Sequence, residues 1–284
     1  MDVSIIIINY NTISYLCTAI DSVLKKTLDI KYEIIVVDNN SSDNSEAIIS
    51  QKYGNKIAFI KLPKNIGFGC ANNVGAKYAK GDYLFLLNPD TILLNNAVKV
   101  LLDFIKTNKQ TGICGGNLYD SANNPTHSYG CLPSISVEFK ELFAIYDEYF
   151  NHTKNPKKVG YITGADLMIS TELYNQLNGF DNSFFMYYED TELNYRVKKN
   201  GYSIYNIPKS KIIHLEGKSF NSNLDQQQKR LDSRNLFYRK THSSFYHCIC
   251  NIIFYLTAIS RIVVFSLIRN KYKKEFWQFI IKNY

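Results

Sequence analysis

The chain has 284 residues, 45% of them hydrophobic and 20% charged, a balance that excludes a disordered polymer and supplies one large domain or a domain with an appendage. Its net charge of +8 favours anionic partners such as nucleotides, phospholipid headgroups or nucleic acid, but no nucleic-acid-binding motif accompanies it. The six cysteines show no C-x-x-C spacing, which argues against a zinc site and for a reducing compartment. Met1-Asp2 leads straight into an apolar run, so no signal peptide is expected.

Residues 3–8 are an apolar run rich in β-branched residues, suited to a strand covered on both faces. Ile13, Leu16, Ala19, Ile20, Val23 and Leu24 then recur at helical spacing. Residues 33–37 predict a second buried strand ending at Asp38, and in the polar DNNSSDNS that follows Ser42 or Asp43 is placed to cap a helix. Residues 57–62 predict a third strand, and KNIGFGCANN opens a helix running to about Ala79. Residues 83–87 predict a fourth strand that stops at Asn88-Pro89-Asp90, with Asn95 or Asn96 available to cap the next helix. Strands alternating with helices imply βαβ units and a parallel sheet, in which ligands sit beyond the carboxyl ends of the strands. Short polar tips stand at those ends: Asn9-Tyr10-Asn11, Asp38-Asn39-Asn40, Asn65 and Asn88-Pro89-Asp90. Four such tips read as one site.

Residues 119–160 read as irregular, and 161–170 as a strand. A helix is predicted from near Glu189, with Leu193 and Val197 on its apolar stripe, a Glu192–Arg196 ion pair and a stop at Asn200-Gly201. Residues 202–207 and 211–215 look like two short strands, and the chain turns helical from about 221. Residues 252–268 are apolar except for Thr257, Ser260, Arg261 and Ser266, short of the roughly 20 residues that span a bilayer. An interfacial helix with basic flanks and a helix packed on its own domain or a second subunit are both open.

Several side chains suit chemistry. Asp90 offers a carboxylate to a hard divalent cation that arrives with substrate phosphates, although Asn-Pro-Asp is also an ordinary turn. Asp38 suits a uracil or thymine N3–H or a ribose, or simply a helix cap, and Tyr10 suits stacking on the base. Glu189-Asp190 at a helix start favours an ionised carboxylate, the requirement of a general base, but the same pair decorates many plain helix starts. His214 suits Mn²⁺ better than Mg²⁺. The nearby GKS is no P-loop, since the position five residues before Gly217 is Ile212, yet Lys218 and Ser219 remain candidates for a phosphate.

Taken in order, VSIIIINYN, EIIVVDNNSSDNS, NIGFGCANN, LFLLNPDTIL, GADLMI, GFDNSFFMYYEDTELNYR and IIHLEGKS resemble the family 2 glycosyltransferases. The subgroup is similar to the rhamnosyltransferase-like enzymes of bacterial surface polysaccharide (O-antigen and capsule) synthesis, and the resemblance covers about residues 3–220. It implies an α/β fold of the GT-A type, a Rossmann-like nucleotide-diphospho-sugar transferase with a mostly parallel central sheet and a C-terminal helical extension. It further implies a catalytic domain over 1–220, with 1–118 binding the nucleotide sugar and 119–220 the acceptor; the helical region expected over 221–284 lies beyond the resemblance, and its membrane association stays open. The implied reaction is an inverting transfer of rhamnose or another hexose from a nucleotide-diphosphate sugar to a hydroxyl of a growing or lipid-linked cell-surface glycan. Asp190 then matches the catalytic base with Glu189 alongside; Asn9, Tyr10, Asn11, Asp38, Asn65, Gly67 and Asn88 fall on the nucleotide-sugar side. Asn88 and Asp90 match the outer positions of the DxD metal motif, with His214 as a third ligand of Mg²⁺ or Mn²⁺. Lys218, Gly164 and Asp166 are weaker candidates for phosphate or acceptor contact. The expected partners are a UDP- or dTDP-linked donor and a glycan or lipid-linked acceptor, without nucleic acid; peripheral membrane contact and a homodimer stay open. The expected location is the cytoplasm, with attachment at the inner face of the cell membrane left open. A competing reading is a catalytically inactive sugar-nucleotide or carbohydrate binder, against which stand both Asp90 and Asp190.

Overall fold

The computed structural model describes residues 1–145, 154–215 and 224–284. In chain order these form β1 (Val3–Asn9), α1 (Ile13–Lys26), β2 (Tyr32–Asp38), α2 (Ser45–Tyr53), β3 (Ile57–Lys61), α3 (Phe68–Ala76), β4 (Tyr83–Leu87), β5 (Thr91–Leu93), α4 (Ala97–Thr107) and β6 (Thr111–Tyr119). Then come β7 (Tyr129–Gly130), α5 (Ile135–Leu142), β8 (Lys157–Lys158), β9 (Tyr161–Ile162), β10 (Asp166–Ser170), α6 (Thr171–Gln176), α7 (Glu189–Lys199) and β11 (Ser203–His214). The chain finishes with α8 (Leu224–Thr241), α9 (Ser244–Leu267) and α10 (Lys271–Asn283). Two compact units result, the first from residues 1–130, 154–185 and 189–215, the second from 131–145, 186–188 and 224–284.

The first unit is built on one sheet of order β3-β2-β1-β4-β10-β6-β11-β5, with β8 alongside β11. Strands β1 to β4, β6 and β11 run in one direction, and β5, β8 and β10 run against them. The apolar runs of β1, β2 and β4 are continuous because both faces of the sheet are covered. Ile5, Ile7 and Phe85 pack with Leu16 and Ile20 of α1 and Leu101 of α4. Ile6, Ile8 and Leu86, one residue out of phase, pack with Ala71 of α3 and Leu193 and Val197 of α7. Alternate side chains of a strand point to opposite faces, so one run feeds two cores.

Three local expectations change. Residues 202–207 and 211–215 are one strand, β11, whose register against β6 shifts between Ile207 and Lys211. Pro208 has no N–H for the ladder, so it bulges the strand without ending it. The 119–160 stretch contains α5, whose N-cap Ser134 accepts from the Val137 N–H at 3.3 Å. Neither Ser42 nor Asp43 caps α2. Its N-cap is Asn44, in the left-handed region at φ 59°, and Asp43 instead accepts from Ile13 N at 2.9 Å, at the start of α1.

In the second unit Arg234 of α8 is buried and its guanidinium meets Glu138 of α5 at 2.6 Å, while Tyr238 donates to the same carboxylate at 2.7 Å. The predicted apolar segment is longer than expected. Helix α9 begins at Ser244, where Ser243 caps it, and its 24 residues are long and apolar enough to cross a membrane by length and composition.

Candidate active site

Two loops meet at the carboxyl end of the β1–β2 pair. Asn9 ends β1 directly opposite Asp38 of β2, and both are buried. The Asn9 amide Nδ2 lies 2.8 Å from Asp38 Oδ1, 2.9 Å from Ser41 Oγ and 2.8 Å from Ser45 Oγ, and its Oδ1 accepts from Thr12 Oγ1 at 2.8 Å. Two N–H protons serve three acceptors, so one bond is shared. Asp38 Oδ2 accepts from Ser41 N at 3.0 Å. Asn11, at φ 55°, accepts from Ser42 N at 2.8 Å, and its own N–H donates to Ser41 Oγ at 2.9 Å. Asn is among the few residues that enter the left-handed region without great strain. Tyr10, between the two asparagines, is 36% exposed. Asp38, Ser41 and Ser45 line a cavity of about 320 Å³ with Lys61 at its edge.

A second network fixes the NIG loop. Asn39 Nδ2 donates to Asn65 Oδ1 at 2.9 Å, and Asn39 Oδ1 accepts from Ile66 N at 2.9 Å. Gly67 N donates to Asn65 Oδ1 at 3.0 Å. Gly67 has φ +86°, and a Cβ there would stand 2.2 Å from the Phe185 carbonyl oxygen. Only glycine tolerates both the angle and the approach.

The third group lies at the ends of β4 and β11. Strand β5 pairs with β11 so that His214 faces Thr91, and Leu215 N donates to Asp90 O at 3.0 Å. His214 Nε2 is thereby 3.4 Å from Asp90 Oδ1 and 3.4 Å from Asn88 Nδ2. No cluster of three or more His, Cys, Asp or Glu that could hold a metal occurs among the described residues. One carboxylate and one imidazole, with an amide that offers Oδ1 after rotation, is a partial donor set. It fits a divalent ion that brings phosphate oxygens with it and does not fit a closed protein cage.

Glu189 and Asp190 open α7. Asp190 Oδ2 accepts from Gly164 N at 2.8 Å, and Oδ1 accepts from Thr191 N at 2.6 Å. Burial raises the Asp190 pKa above the ordinary carboxylate value, while those two amides and the nearby His127 pull it back down. Glu189 is buried, its Oε2 has no hydrogen-bond partner among the described residues, and burial together with the Asp190 charge pushes its pKa to about 8. Burial raises both adjacent carboxyls, and the two backbone N–H bonds to Asp190 favour its ionised form.

The remaining candidates lie elsewhere in the framework. Gly164 serves as a donor to Asp190, so its N–H is already engaged. Asp166 is fully enclosed in β10 and accepts from Gly116 N at 2.5 Å, and burial drives its pKa well upward. Lys218 falls outside the described residues. Three framework residues were not anticipated. Ser41 and Ser45 hold the first loop, and their signal was present in the polar run after β2. His127, bonded to Tyr161 Oη at 3.3 Å, acts on Asp190 from a stretch that gave no sequence signal.

Residues 4–174 match the profile described as Glycosyl transferase family 2. The chain belongs to this family. A further profile, described as the N-terminal domain of galactosyltransferase, matches residues 147–218. This glycosyltransferase is 24% identical over 208 residues to the N-acetylglucosaminyl-diphospho-decaprenol L-rhamnosyltransferase of Mycobacterium tuberculosis, a match covering 66% of this chain and 67% of the relative. It is 34% identical over 116 residues to the poly(ribitol-phosphate) beta-N-acetylglucosaminyltransferase TarP of Staphylococcus aureus, covering 40% of this chain and 36% of that one. Among solved structures, GalNAc-T7 with UDP, GalNAc and Mn²⁺ superimposes with a TM-score of 0.61 at 18% identity, over 84% of this chain and 50% of that one. S. aureus TarS 1-349 superimposes with a TM-score of 0.59 at 16% identity, over 95% and 74%. These two likenesses establish the fold, which is GT-A, with a mixed and mostly parallel sheet followed by C-terminal helices.

Proposed function

We propose that this glycosyltransferase moves a hexose, such as rhamnose, from a UDP- or dTDP-linked donor to a hydroxyl of a cell-surface glycan or its lipid-linked precursor on the cytoplasmic side of the membrane, inverting the anomeric centre. The observation that carries this reading is the pair at the start of α7. Asp190 accepts two backbone N–H bonds, which favour its ionised form, while Glu189 is held protonated near neutrality. Asp190 is then the general base. It takes the acceptor hydroxyl proton as that oxygen forms its bond to the anomeric carbon, and the bond to the diphosphate breaks on the opposite face with its electron pair leaving on the diphosphate.

The donor side is supported by the strand-end network. Asp38 is suited to a base or ribose hydrogen bond and Tyr10 to stacking, with Asn9, Asn11, Asn65 and Gly67 shaping the loops around them. Asp90 and His214, with Asn88 beside them, would hold a divalent Mg²⁺ or Mn²⁺, which when bound supplies charge neutralisation for a diphosphate leaving group. The relatives' printed names, a rhamnosyltransferase acting at a decaprenyl diphosphate carrier and a transferase acting on poly(ribitol-phosphate), favour a surface-glycan acceptor.

A thermal-shift panel of nucleotide sugars, each with and without Mn²⁺, tests donor class and metal need together. A rise in Tm confined to UDP- or dTDP-sugars and larger with the ion is the expected pattern. Equal shifts for every nucleotide, or none for any, would contradict the donor assignment.

A further inference from the structure

The second unit carries an exposed apolar surface that contains none of the candidate site residues. Along α9, Phe245, Ile252, Leu256, Ile259, Val263 and Leu267 recur at spacings of three, four or seven and are each 49–78% exposed. That spacing sets them on one stripe of the helix. The opposite side of α9 is covered, with Cys250, Ile253, Thr257 and Ala258 buried. Arg261, the one charge within the helix, is turned off the stripe, and its guanidinium donates to the Glu141 carbonyl of α5 at 2.7 Å. The stripe is therefore uninterrupted over about 33 Å of helix, at 1.5 Å per residue.

The end of the stripe is basic. Arg269, Lys271 and Lys274 line a cavity of about 380 Å³ at the α9–α10 turn, three cations against the one carboxylate of Glu275, which also lines it. The Lys271 side chain is 87% exposed and only loosely paired, 3.9 Å from Glu275. Glu275 is the one acidic residue from 261 to the end of the sequence. Tyr272 beside them is 79% exposed, an amphipathic ring of the kind favoured at a lipid–water boundary.

We infer that α9 and the α9–α10 turn dock on an anionic phospholipid surface, with α9 lying in the plane of the interface, its stripe in the acyl boundary and Arg269, Lys271 and Lys274 on lipid phosphates. Charge complementarity selects this occupant: an apolar strip that ends in a headgroup-sized basic cavity matches a surface that is apolar below and anionic above. The covered side of α9, with its Arg261 anchor, opposes a crossing orientation, because a crossing helix would have to carry that packed side through the bilayer as well.

The test is sedimentation of the full chain with phosphatidylcholine vesicles, with and without about 30% phosphatidylglycerol at the charge densities where basic residues act. No donor or acceptor is present, so the outcome is independent of the proposed transfer. Binding should appear with the anionic vesicles and weaken with salt. Replacing Arg269, Lys271 and Lys274 together by Ala should lower the partition coefficient about 100-fold, since each basic residue near such a surface contributes roughly fivefold. Leu256→Ser with Ile259→Ser should abolish binding, and circular dichroism should show both variants folded. Equal binding to neutral vesicles, an unaffected basic triple variant, or uptake of inorganic phosphate without vesicle binding would overturn the inference. So would resistance to alkaline carbonate extraction, which marks a crossing helix. A dimer that dissociates on Ile259→Asp with no vesicle binding would assign the stripe to a second copy of the chain.

Discussion

The side-chain amide of Asn9 stands 2.8 Å from a carboxylate oxygen of Asp38, directly across the parallel β1–β2 pair. The same amide holds Ser41 and Ser45, so one side chain sets both the carboxylate and the loop that surrounds it. Asn9→Ala removes the donor and leaves buried acceptors unpaired. It should cost about 2–4 kcal/mol in urea denaturation and weaken nucleotide binding. Asn9→Asp should be worse, because it sets a second carboxylate beside the first. A cost below about 0.5 kcal/mol for Asn9→Ala, the scale of an ordinary surface change, would show that the network does not organise the loop.

Gly67 makes a second, sharper demand on the fold. With φ +86° and a Cβ position 2.2 Å from Phe185 O, Gly67→Ala meets both backbone strain and backbone overlap. The expected loss is about 2–4 kcal/mol, with the Asn39–Asn65 contact disturbed and nucleotide-sugar affinity reduced. The check is a paired measurement of Tm and Kd for the variant, and an unchanged pair of values would remove the loop from the donor side.

Much of the fold was legible because its central strands are buried on both faces. Residues 3–8, 33–37 and 83–87 carry that burial in composition alone, and the polar residues ending each run mark the same edge of one sheet. The start of α7 was legible from Glu189, Leu193 and Val197. Helix caps were legible only in part: Asn96 stands at the N-cap position of α4 as expected, but the cap of α2 was not legible. Asp43 resembled a cap for the helix that follows it, yet it bonds Ile13, a partner 30 positions earlier. His127 was illegible for the same reason, since its effect on Asp190 depends on tertiary proximity across 63 positions. The extent of α9 was misjudged because Ser244–Asn251 mixes polar and apolar residues, and only the Ser243 cap reveals where the helix starts.

The β4–β11 group predicts metal behaviour. Asp90→Ala and His214→Ala should each weaken Mn²⁺ affinity about 10–100-fold in the presence of the nucleotide diphosphate, and Asp90→Ala more so because it removes the anionic donor of this group among the described residues. Titration of Mn²⁺ into the diphosphate complex reads this directly. Wild-type affinity in both variants would free these residues from the role, as would transfer that survives excess EDTA.

Glu189 links stability to pH. Its folded pKa of about 8 lies above the ordinary 4.5, so between those values the folded chain keeps a proton that the unfolded chain has released. The folded state therefore loses stability as pH rises through that window. Glu189→Gln removes the penalty. Relative to wild type it should gain little near pH 4.5 and on the order of a few kcal/mol by pH 9. Urea midpoints at both pH values test this, and a constant difference between the two proteins would contradict the buried, protonated Glu189.

The account turns on Asp190 as the base, and the most direct measurement is transfer by Asp190→Asn with nucleotide-sugar binding followed in the same preparation. Asn keeps the size and an acceptor for the Gly164 N–H but cannot take a proton. The predicted result is a fall in kcat of about 10²–10⁴, the usual worth of a general base, with the donor Kd changed less than about threefold. Turnover at the wild-type rate, with binding intact, would contradict it.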